Sequence, residues 1–232
     1  MACDSQQSFE QGVNGHPRPG YAMFVDLADR EVAVVGGGVV AQRKIETLLP
    51  FGAHITLISP DATEYLRNLA SEGAITWVAR SYEPGDLQGA LIAFCACGNP
   101  EVDLQVYEEA RESNILLNVV DVPERCTFTV PSTLARGPLR IAVSTSGCSP
   151  VEARQVRRTL EGQFDESWGP YLDLLHDVRA LIKQRVPGSE AQRKPLFEAA
   201  AGLHLRERLA AGEVIAAEDA YREVLESIEV PV

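Results

Sequence analysis

A glycine-rich turn carries the clearest chemical signal in the sequence. Residues 36–41 read GGGVVA, which fits the pattern G-x-G-x-x-A, and they follow a β-branched run and open a helical pattern. In this context Gly36 permits a tight turn, and Gly38 lets the backbone approach a pyrophosphate, which the N–H groups of the helix N-terminus bind. Ala41 lets the helix pack closely on the strand. The turn predicts a dinucleotide site, and a plain strand-to-helix turn is the alternative.

The end of the second predicted strand bears on which dinucleotide would bind. An acidic residue usually stands there and holds the ribose hydroxyls, but this chain has Ser59, and Asp61 comes slightly late. Neither Lys nor Arg occurs between His54 and Tyr65, so nothing obvious in this stretch would bind a 2′-phosphate. The sequence therefore favours NAD over NADP.

A carboxylate follows the fifth predicted strand. Residues 115–120 form a short apolar run, and Asp121 comes directly after it. Because ligands of open α/β sheets bind outside the carboxyl ends of the strands, Asp121 is placed to face a cofactor or substrate. An enzyme that removes a hydride also needs a base for the accompanying proton, and Asp121 is the candidate. The alternative is that Asp121 only caps the turn at Val122 and Pro123.

Three hydroxyl side chains, Ser144, Thr145 and Ser146, stand before a predicted helix. Ser149 is the predicted N-cap of that helix, and Arg154 lies within it. Hydroxyl groups and arginines around a helix N-terminus would bind the carboxylates or phosphates of a ligand. A well-capped helix that holds no ligand is the alternative.

The charge of the chain is acidic but uneven. The 232 residues carry a net charge of −12, which argues against nonspecific binding of nucleic acid. Residues 131–158 nevertheless contain five arginines and a single acid, Glu152. This local excess of positive charge suggests an anionic ligand, although a solvated helix face would explain it as well.

The remaining composition points to an ordinary intracellular protein. The five cysteines form no C-x-x-C pair, so neither a zinc site nor a disulfide framework is predicted, and Cys95 and Cys97 should pack on one face of a strand. No apolar run approaches the roughly 20 residues of a membrane span, and the N-terminus has no signal-peptide pattern. We expect no membrane association and a cytoplasmic location.

The scaffold that would position these residues is an α/β fold. Predicted strands lie at 31–35, 54–58, 75–79, 91–96 and 115–120, with helices between them. This alternation predicts a parallel, Rossmann-type sheet. Further strands are predicted at 126–130 and 140–144, followed by helices at 149–162, 167–186 and about 195–228.

Several segments together identify a family. The segments 24–27, 36–44, 82–87, 118–123 and 144–150 occur in the order and with the residue types of that family. Over about residues 22–165 the chain resembles the precorrin-2 dehydrogenase / sirohydrochlorin ferrochelatase family, which forms the first module of siroheme synthase. The resemblance implies oxidation of precorrin-2 to sirohydrochlorin with NAD, and in some members insertion of Fe²⁺ into sirohydrochlorin.

The resemblance also implies roles for individual residues. The principal catalytic carboxylate of the family matches Asp121, which could also contact the metal during iron insertion. The family's cofactor contacts match Val39, Val40, Pro60 and Asp61.

The hydroxyl loop departs from the family pattern at two positions. A serine linked to substrate binding in some relatives is replaced by Thr145, which keeps the hydroxyl, and the usual glycine is replaced by Ser146. The tetrapyrrole substrate bears many carboxylates, which suits Arg154 and the neighbouring arginines.

The resemblance completes the expected domain organisation. We expect a flexible tail at 1–21, an NAD-binding Rossmann domain at 22–130, a dimerisation segment at 131–165 and a helical domain at 166–232. The family forms a homodimer interlocked through the segment after the sixth strand. Too few residues follow 165 for the methyltransferase module of larger siroheme synthases, so precorrin-2 is expected from a separate enzyme.

Two other functions stay open on the sequence. A Rossmann domain could bind NAD as a sensor without catalysis, and that would need no carboxylate at Asp121. An oxidoreductase acting on another substrate is also compatible with the fold.

Overall fold

The structure is a computed structural model that describes residues 19–229, so most of the predicted tail at 1–21 lies outside the described residues. The chain divides into two compact units. The first unit comprises the residues up to Val130 together with Ser146–Cys148, and the second comprises Pro131–Thr145 and the residues from Ser149 onward. Among the helices described, none is long and apolar enough to cross a membrane.

The first unit is built on a five-stranded parallel sheet with the order β3-β2-β1-β4-β5. Its strands are β1 Glu31–Val35, β2 His54–Ile58, β3 Thr76–Val78, β4 Ile92–Cys95 and β5 Leu116–Val119. Its helices are α1 Val39–Leu48, α2 Glu64–Ser71 and α3 Pro100–Glu112. The predicted Rossmann-type α/β fold is confirmed.

Both faces of this sheet are covered, as a parallel sheet requires. Side chains alternate along each strand, so Val34 of β1 packs in a cluster with Ile45 of α1, while Val35 packs in a second cluster with Val106 of α3. The register aligns the carboxyl ends of the central strands, since Val35 lies opposite both Ile58 and Cys95. The residues that follow these strands therefore emerge at one edge of the sheet.

The sixth strand predicted at 126–130 is wrong. This segment runs beside β5, but only one backbone hydrogen bond joins the two, from Thr127 N to the carbonyl of Leu117 at 2.8 Å. Side chains make the other contacts: Leu117 N donates to Thr127 Oγ1 at 2.7 Å, and Val119 N donates to Cys126 Sγ at 3.2 Å. A thiol and a hydroxyl thus take the place of the backbone carbonyls that a strand would offer.

The second unit begins with a β-hairpin. Strands β6 Ser132–Arg136 and β7 Leu139–Val143 pair antiparallel around Gly137, whose φ is +53°. The residue pattern had predicted a single strand here, at 140–144, so β6 was not expected. The alternation of exposed and inward side chains on both sides of Gly137 and Pro138 is the hairpin signal that would have revealed it.

Five helices follow the hairpin in the described residues. They are α4 Pro150–Gln163, α5 Trp168–Arg185, α6 Glu190–Gly202, α7 Leu205–Ala210 and α8 Ala217–Glu229. Val178 of α5 packs against Leu196 of α6 and Val224 of α8 in one buried cluster. Helix α6 begins earlier than the predicted residue 195, because Ser189 and Gln192 form a capping box.

Candidate functional site

The predicted glycine turn joins β1 to α1 and is shaped by close backbone approaches. Gly36 has φ +109°, and a Cβ there would lie 2.5 Å from the carbonyl oxygen of Ala96, at the end of β4. A side chain is therefore excluded at Gly36 by both conformation and space. The predicted role of Gly36 in the tight turn agrees with this geometry.

Gly37 allows a close backbone contact that the G-x-G-x-x-A pattern does not predict, since Gly37 is a variable position of that pattern. A Cβ at Gly37 would lie 1.9 Å from the carbonyl oxygen of Asp61. The amide of Thr63 also donates a hydrogen bond of 3.0 Å to the carbonyl of Gly37. The glycine turn and the loop after β2 are thus pressed together, and only glycine permits this contact.

Gly38 differs from its two neighbours because a Cβ there would meet nothing within 4 Å. Gly38 is the N-cap of α1, and no side chain caps that helix end. The first-turn residues Val39 and Val40 are exposed, at 57% and 43%. The free amide groups of this helix end can donate hydrogen bonds to an anion, and the space in front of Gly38 leaves room for one.

A cleft of about 450 Å³ lies in front of this turn. Its lining includes Gly36, Gly38, Pro60, Asp61, Ala96 and Cys97. Four of the six predicted cofactor-binding residues are therefore together in the cleft, whereas Val39 and Val40 are not among its lining residues. The residues present fit a dinucleotide: glycine backbone for the pyrophosphate and an exposed carboxylate, Asp61, at the end of β2.

The charge around the cleft bears on the 2′-phosphate that distinguishes NADP. None of the described residues that line the cleft is Lys or Arg. Arg80, next in sequence to the lining residue Ser81, donates two hydrogen bonds of 2.7 Å to Asp86. These hydrogen bonds hold the pKa of Arg80 above its ordinary value. The nearest arginine in sequence is thus already paired.

Asp121 follows β5 in a left-handed backbone conformation, with φ +61°. The side chain is exposed, and within residues 19–229 its carboxylate makes no hydrogen bond or ion pair. The turn-cap alternative therefore finds no support, and Pro123 in particular has no N–H to offer. Val120 N donates to the carbonyl of Cys95 at 2.9 Å, which holds the start of this turn beside the end of β4.

The hydroxyl loop is held by its own hydrogen bonds. Thr145 Oγ1 donates to the carbonyl of Ser149 at 3.0 Å and accepts from Ser149 N at 3.1 Å. Ser149 Oγ accepts from Glu152 N at 3.2 Å, which confirms the predicted N-cap of α4. The single O–H of Thr145 is thus used inside the loop, and one acceptor position remains for a ligand.

The other two hydroxyls of the loop lie on either side of Thr145. Ser144 is exposed and Ser146 is half-buried. Ser146 has φ +51° and is followed by Gly147 with φ +87°. A left-handed conformation favours glycine, which gives a physical reason for the glycine that the family pattern has at Ser146.

The arginines of 131–158 divide into paired and unpaired groups. Arg136 is ion-paired with Glu166 at 3.2 Å, and Arg157 is ion-paired with Glu161. Arg154 and Arg158, on α4, are exposed and have no ion pair among the described residues. The predicted ligand-binding residue Arg154 therefore keeps its charge available, and Arg158 joins it.

Two sequence families match consecutive parts of the chain. The family described as "Putative NAD(P)-binding" matches residues 23–132. The family described as "Sirohaem biosynthesis protein central" matches residues 136–163. The predicted cofactor class, a nicotinamide dinucleotide, is confirmed by the first of these matches.

The curated relatives are longer than this chain. A siroheme synthase of Methylobacillus flagellatus is 37% identical over 206 residues, which cover 88% of this chain and 43% of the relative. Siroheme synthase 1 of Aeromonas salmonicida is 38% identical over 176 residues, which cover 76% and 37%. The chain thus spans about two fifths of the length of the curated relatives it matches.

A solved structure matches over almost its whole length. It is described as "SirC, precorrin-2 dehydrogenase", is 26% identical, and superposes with a TM-score of 0.71 over 90% of this chain and 99% of the other. The fold and the order of the two family matches agree with the resemblance found in the sequence. These findings confirm the resemblance of the chain to the precorrin-2 dehydrogenase / sirohydrochlorin ferrochelatase family, which includes the first module of siroheme synthase.

Proposed function

We propose that this chain is an NAD-dependent dehydrogenase that oxidises precorrin-2 to sirohydrochlorin in siroheme biosynthesis. The observation that carries the proposal is Asp121, an unpaired carboxylate at the same edge of the sheet as the glycine turn. A non-glycine residue in the left-handed region costs about 1–2 kcal/mol, and such strain is often found at functional positions. Formation of NADH from precorrin-2 by the purified chain tests the proposal.

In this proposal the residues of the cleft bind the cofactor. Gly36 and Gly38 bring the backbone to the pyrophosphate, Val39 and Val40 offer amides of the first helical turn, and Pro60 lies along the adenosine side. Asp61 accepts hydrogen bonds from the ribose hydroxyls of NAD. In NADP a phosphate stands on the 2′-hydroxyl, and its negative charge would repel the carboxylate of Asp61. This predicts use of NAD.

The preference for NAD gives a testable prediction about Asp61. We expect NAD to bind roughly tenfold more tightly than NADP, a difference of about 1.4 kcal/mol, because the carboxylate repels the 2′-phosphate. Asp61→Asn should narrow this ratio by weakening NAD binding and strengthening NADP binding. Fluorescence titration with both dinucleotides measures the ratio, and tighter binding of NADP to the unaltered chain would contradict the assignment.

Asp121 acts as the general base in the proposed reaction. Bound NAD supplies the acceptor for the hydride that leaves a C–H bond of precorrin-2 with its electron pair. The accompanying proton passes from the substrate to a carboxylate oxygen of Asp121, so the substrate loses two hydrogens and two electrons. The carboxylate then returns the proton to solvent, which its exposed position permits.

The proposed substrate contacts are Ser144, Thr145, Ser146 and Arg154. Arg154 and Arg158 attract the substrate's carboxylates, because both are exposed and unpaired in the part of the chain described. Thr145 stabilises the loop through its two hydrogen bonds with Ser149, and its hydroxyl oxygen can accept one further hydrogen bond from the substrate.

Removing the unpaired arginines should weaken substrate binding selectively. We expect Arg154→Ala with Arg158→Ala to raise the KM for precorrin-2 by roughly tenfold, since a hydrogen bond to a charged group contributes about 1.5–3 kcal/mol, while NAD affinity stays unchanged. Arg157→Ala is the matched control on the same helix and should change KM less than about twofold, because Glu161 already pairs with Arg157. Equal effects of the control and the double variant would refute the assignment.

We also propose that the chain is a cytoplasmic homodimer that dimerises through residues 131–165. The proposal rests on the family, and on the β6–β7 hairpin and α4 that make up this segment. Two-fold symmetry is the commonest arrangement of such assemblies. Light scattering should give twice the mass of the chain at micromolar concentration, and a monomer's mass would contradict the proposal.

A further inference from the structure

A cluster of three metal-ligating side chains lies at the end of β4. Cys95 Sγ is 3.1 Å and Cys97 Sγ is 3.3 Å from the same oxygen, Oδ1 of Asp103, and the two sulfur atoms are 3.8 Å apart. Cys95 is the last residue of β4 and Cys97 follows two residues later, and the N-terminal part of α3 brings Asp103 within hydrogen-bond distance of both thiols. The proposed dehydrogenase function uses none of the three side chains.

The burial of this cluster is costly without a cation. Asp103 is 6% exposed and Cys95 is 1% exposed. Within residues 19–229, the only polar side-chain partners of the Asp103 carboxylate are the two thiols, which are weak hydrogen-bond donors. A buried carboxylate normally has an ion pair, strong donors or a metal. Among the described residues, the Asp103 carboxylate therefore has no positively charged partner, and a bound cation would supply one.

The spacing of the three atoms matches a tetrahedral metal ion. With Zn–S bonds of about 2.3 Å and Zn–O bonds of about 2.0–2.2 Å, two sulfur ligands stand about 3.8 Å apart and sulfur and oxygen about 3.5 Å apart. The observed S···S distance of 3.8 Å already meets this requirement. The two S···O distances need to lengthen by only a few tenths of an ångström, which a side-chain rotation of Asp103 provides.

We propose that Cys95, Cys97 and Asp103 bind one divalent cation of the zinc class. Two sulfur ligands select a thiophilic ion over Mg²⁺ or Ca²⁺, and the carboxylate completes a donor set that zinc accepts. Binding replaces the thiol protons, which are released to solvent.

The cation would reach this site from the dinucleotide cleft. Cys97 is half-buried and lines the cleft beside Ala96 and Asn99, whereas Cys95 and Asp103 are buried and are not among its lining residues. The cluster supplies three ligands from the described residues, so water from the cleft would take the fourth position, as in zinc sites with an open coordination position.

Cobalt titration of the full-length protein tests the site without any measurement of activity. The protein is reduced with a phosphine and kept anaerobic, and Co²⁺ is added while absorbance is recorded. We expect an intense thiolate-to-cobalt charge-transfer band that saturates at one Co²⁺ per chain and disappears when Zn²⁺ is added. Cys97→Ser and Asp103→Asn should each weaken Co²⁺ binding by more than about tenfold, since even the outer-shell partners of metal ligands contribute that much.

Matched controls separate this site from other cysteines and from unfolding. Cys148→Ser removes an exposed free thiol and should leave the cobalt titration unchanged. The substitutions Cys97→Ser and Asp103→Asn preserve the shape of the side chains, and an unchanged far-UV circular dichroism spectrum shows that each variant is folded. The proposal is overturned if the reduced protein gives no charge-transfer band at stoichiometric Co²⁺, or if the band persists undiminished in both ligand variants.

Discussion

Asp121→Asn is expected to lower the turnover of precorrin-2 by about two to four orders of magnitude, the usual effect of removing a general base. The amide keeps the shape of the carboxylate but cannot accept the proton. Asparagine also tolerates the left-handed conformation at φ +61°. The variant should therefore keep its fold and its NAD affinity, and the measurement is the rate of NADH formation with precorrin-2 at saturation.

Asp121→Ala serves as the second variant of this experiment. It should lose turnover to the same extent, but alanine in the left-handed region adds strain of roughly 1–2 kcal/mol, so its melting temperature should fall below that of Asp121→Asn. If the chain also inserts Fe²⁺ into sirohydrochlorin, both variants should lose that activity, because the resemblance assigns both reactions to Asp121. Near-normal turnover by a folded Asp121→Asn protein would contradict the assignment of Asp121 as the general base.

Gly38→Asp is expected to abolish NAD binding while leaving the fold intact. A Cβ at Gly38 meets nothing within 4 Å, so the free protein accommodates the side chain. In the complex, the carboxylate would occupy the place of the pyrophosphate and repel it. Titration should show an affinity loss of more than about a hundredfold, about 2.7 kcal/mol, with an unchanged melting temperature in the absence of NAD.

Gly37→Ala is the contrasting variant for this prediction. Its Cβ would lie 1.9 Å from the Asp61 carbonyl oxygen, so the loop after β2 must shift even without ligand. We expect this smaller substitution to lower the melting temperature, which the larger one at Gly38 should not do. If Gly38→Asp binds NAD normally, the cofactor does not lie on this helix N-terminus.

The sheet was predictable because its strands are buried on both faces and read as short β-branched or apolar runs. The helix starting after Ser149 was predictable from its capping residues, and the structure has the expected hydrogen bond from Glu152 N. The error at 126–130 arose because the sequence CTFTV has strand character, while its contacts with β5 run through Cys126 Sγ and Thr127 Oγ1. Residue types cannot distinguish side-chain from backbone hydrogen bonding of this kind.

The site was only partly predictable for a similar reason. Local motifs identified Gly36, Gly38 and Asp121, because each belongs to a turn with a recognisable pattern. The tight contact between Gly37 and Asp61 depends on a loop more than twenty residues away. The cluster of Cys95 and Cys97 with Asp103 likewise requires α3 to cross the end of β4, and the pairing C-x-C with a later aspartate matches none of the usual metal motifs.

The central claim is that the chain transfers a hydride from precorrin-2 to NAD. The most direct measurement mixes the purified chain anaerobically with precorrin-2 and NAD and records NADH and sirohydrochlorin together. The account predicts that both products appear in equal amounts, that neither forms without the chain, and that NADP supports the reaction less well. A chain that binds NAD but forms no NADH with precorrin-2 would contradict the account and favour a sensor without catalysis.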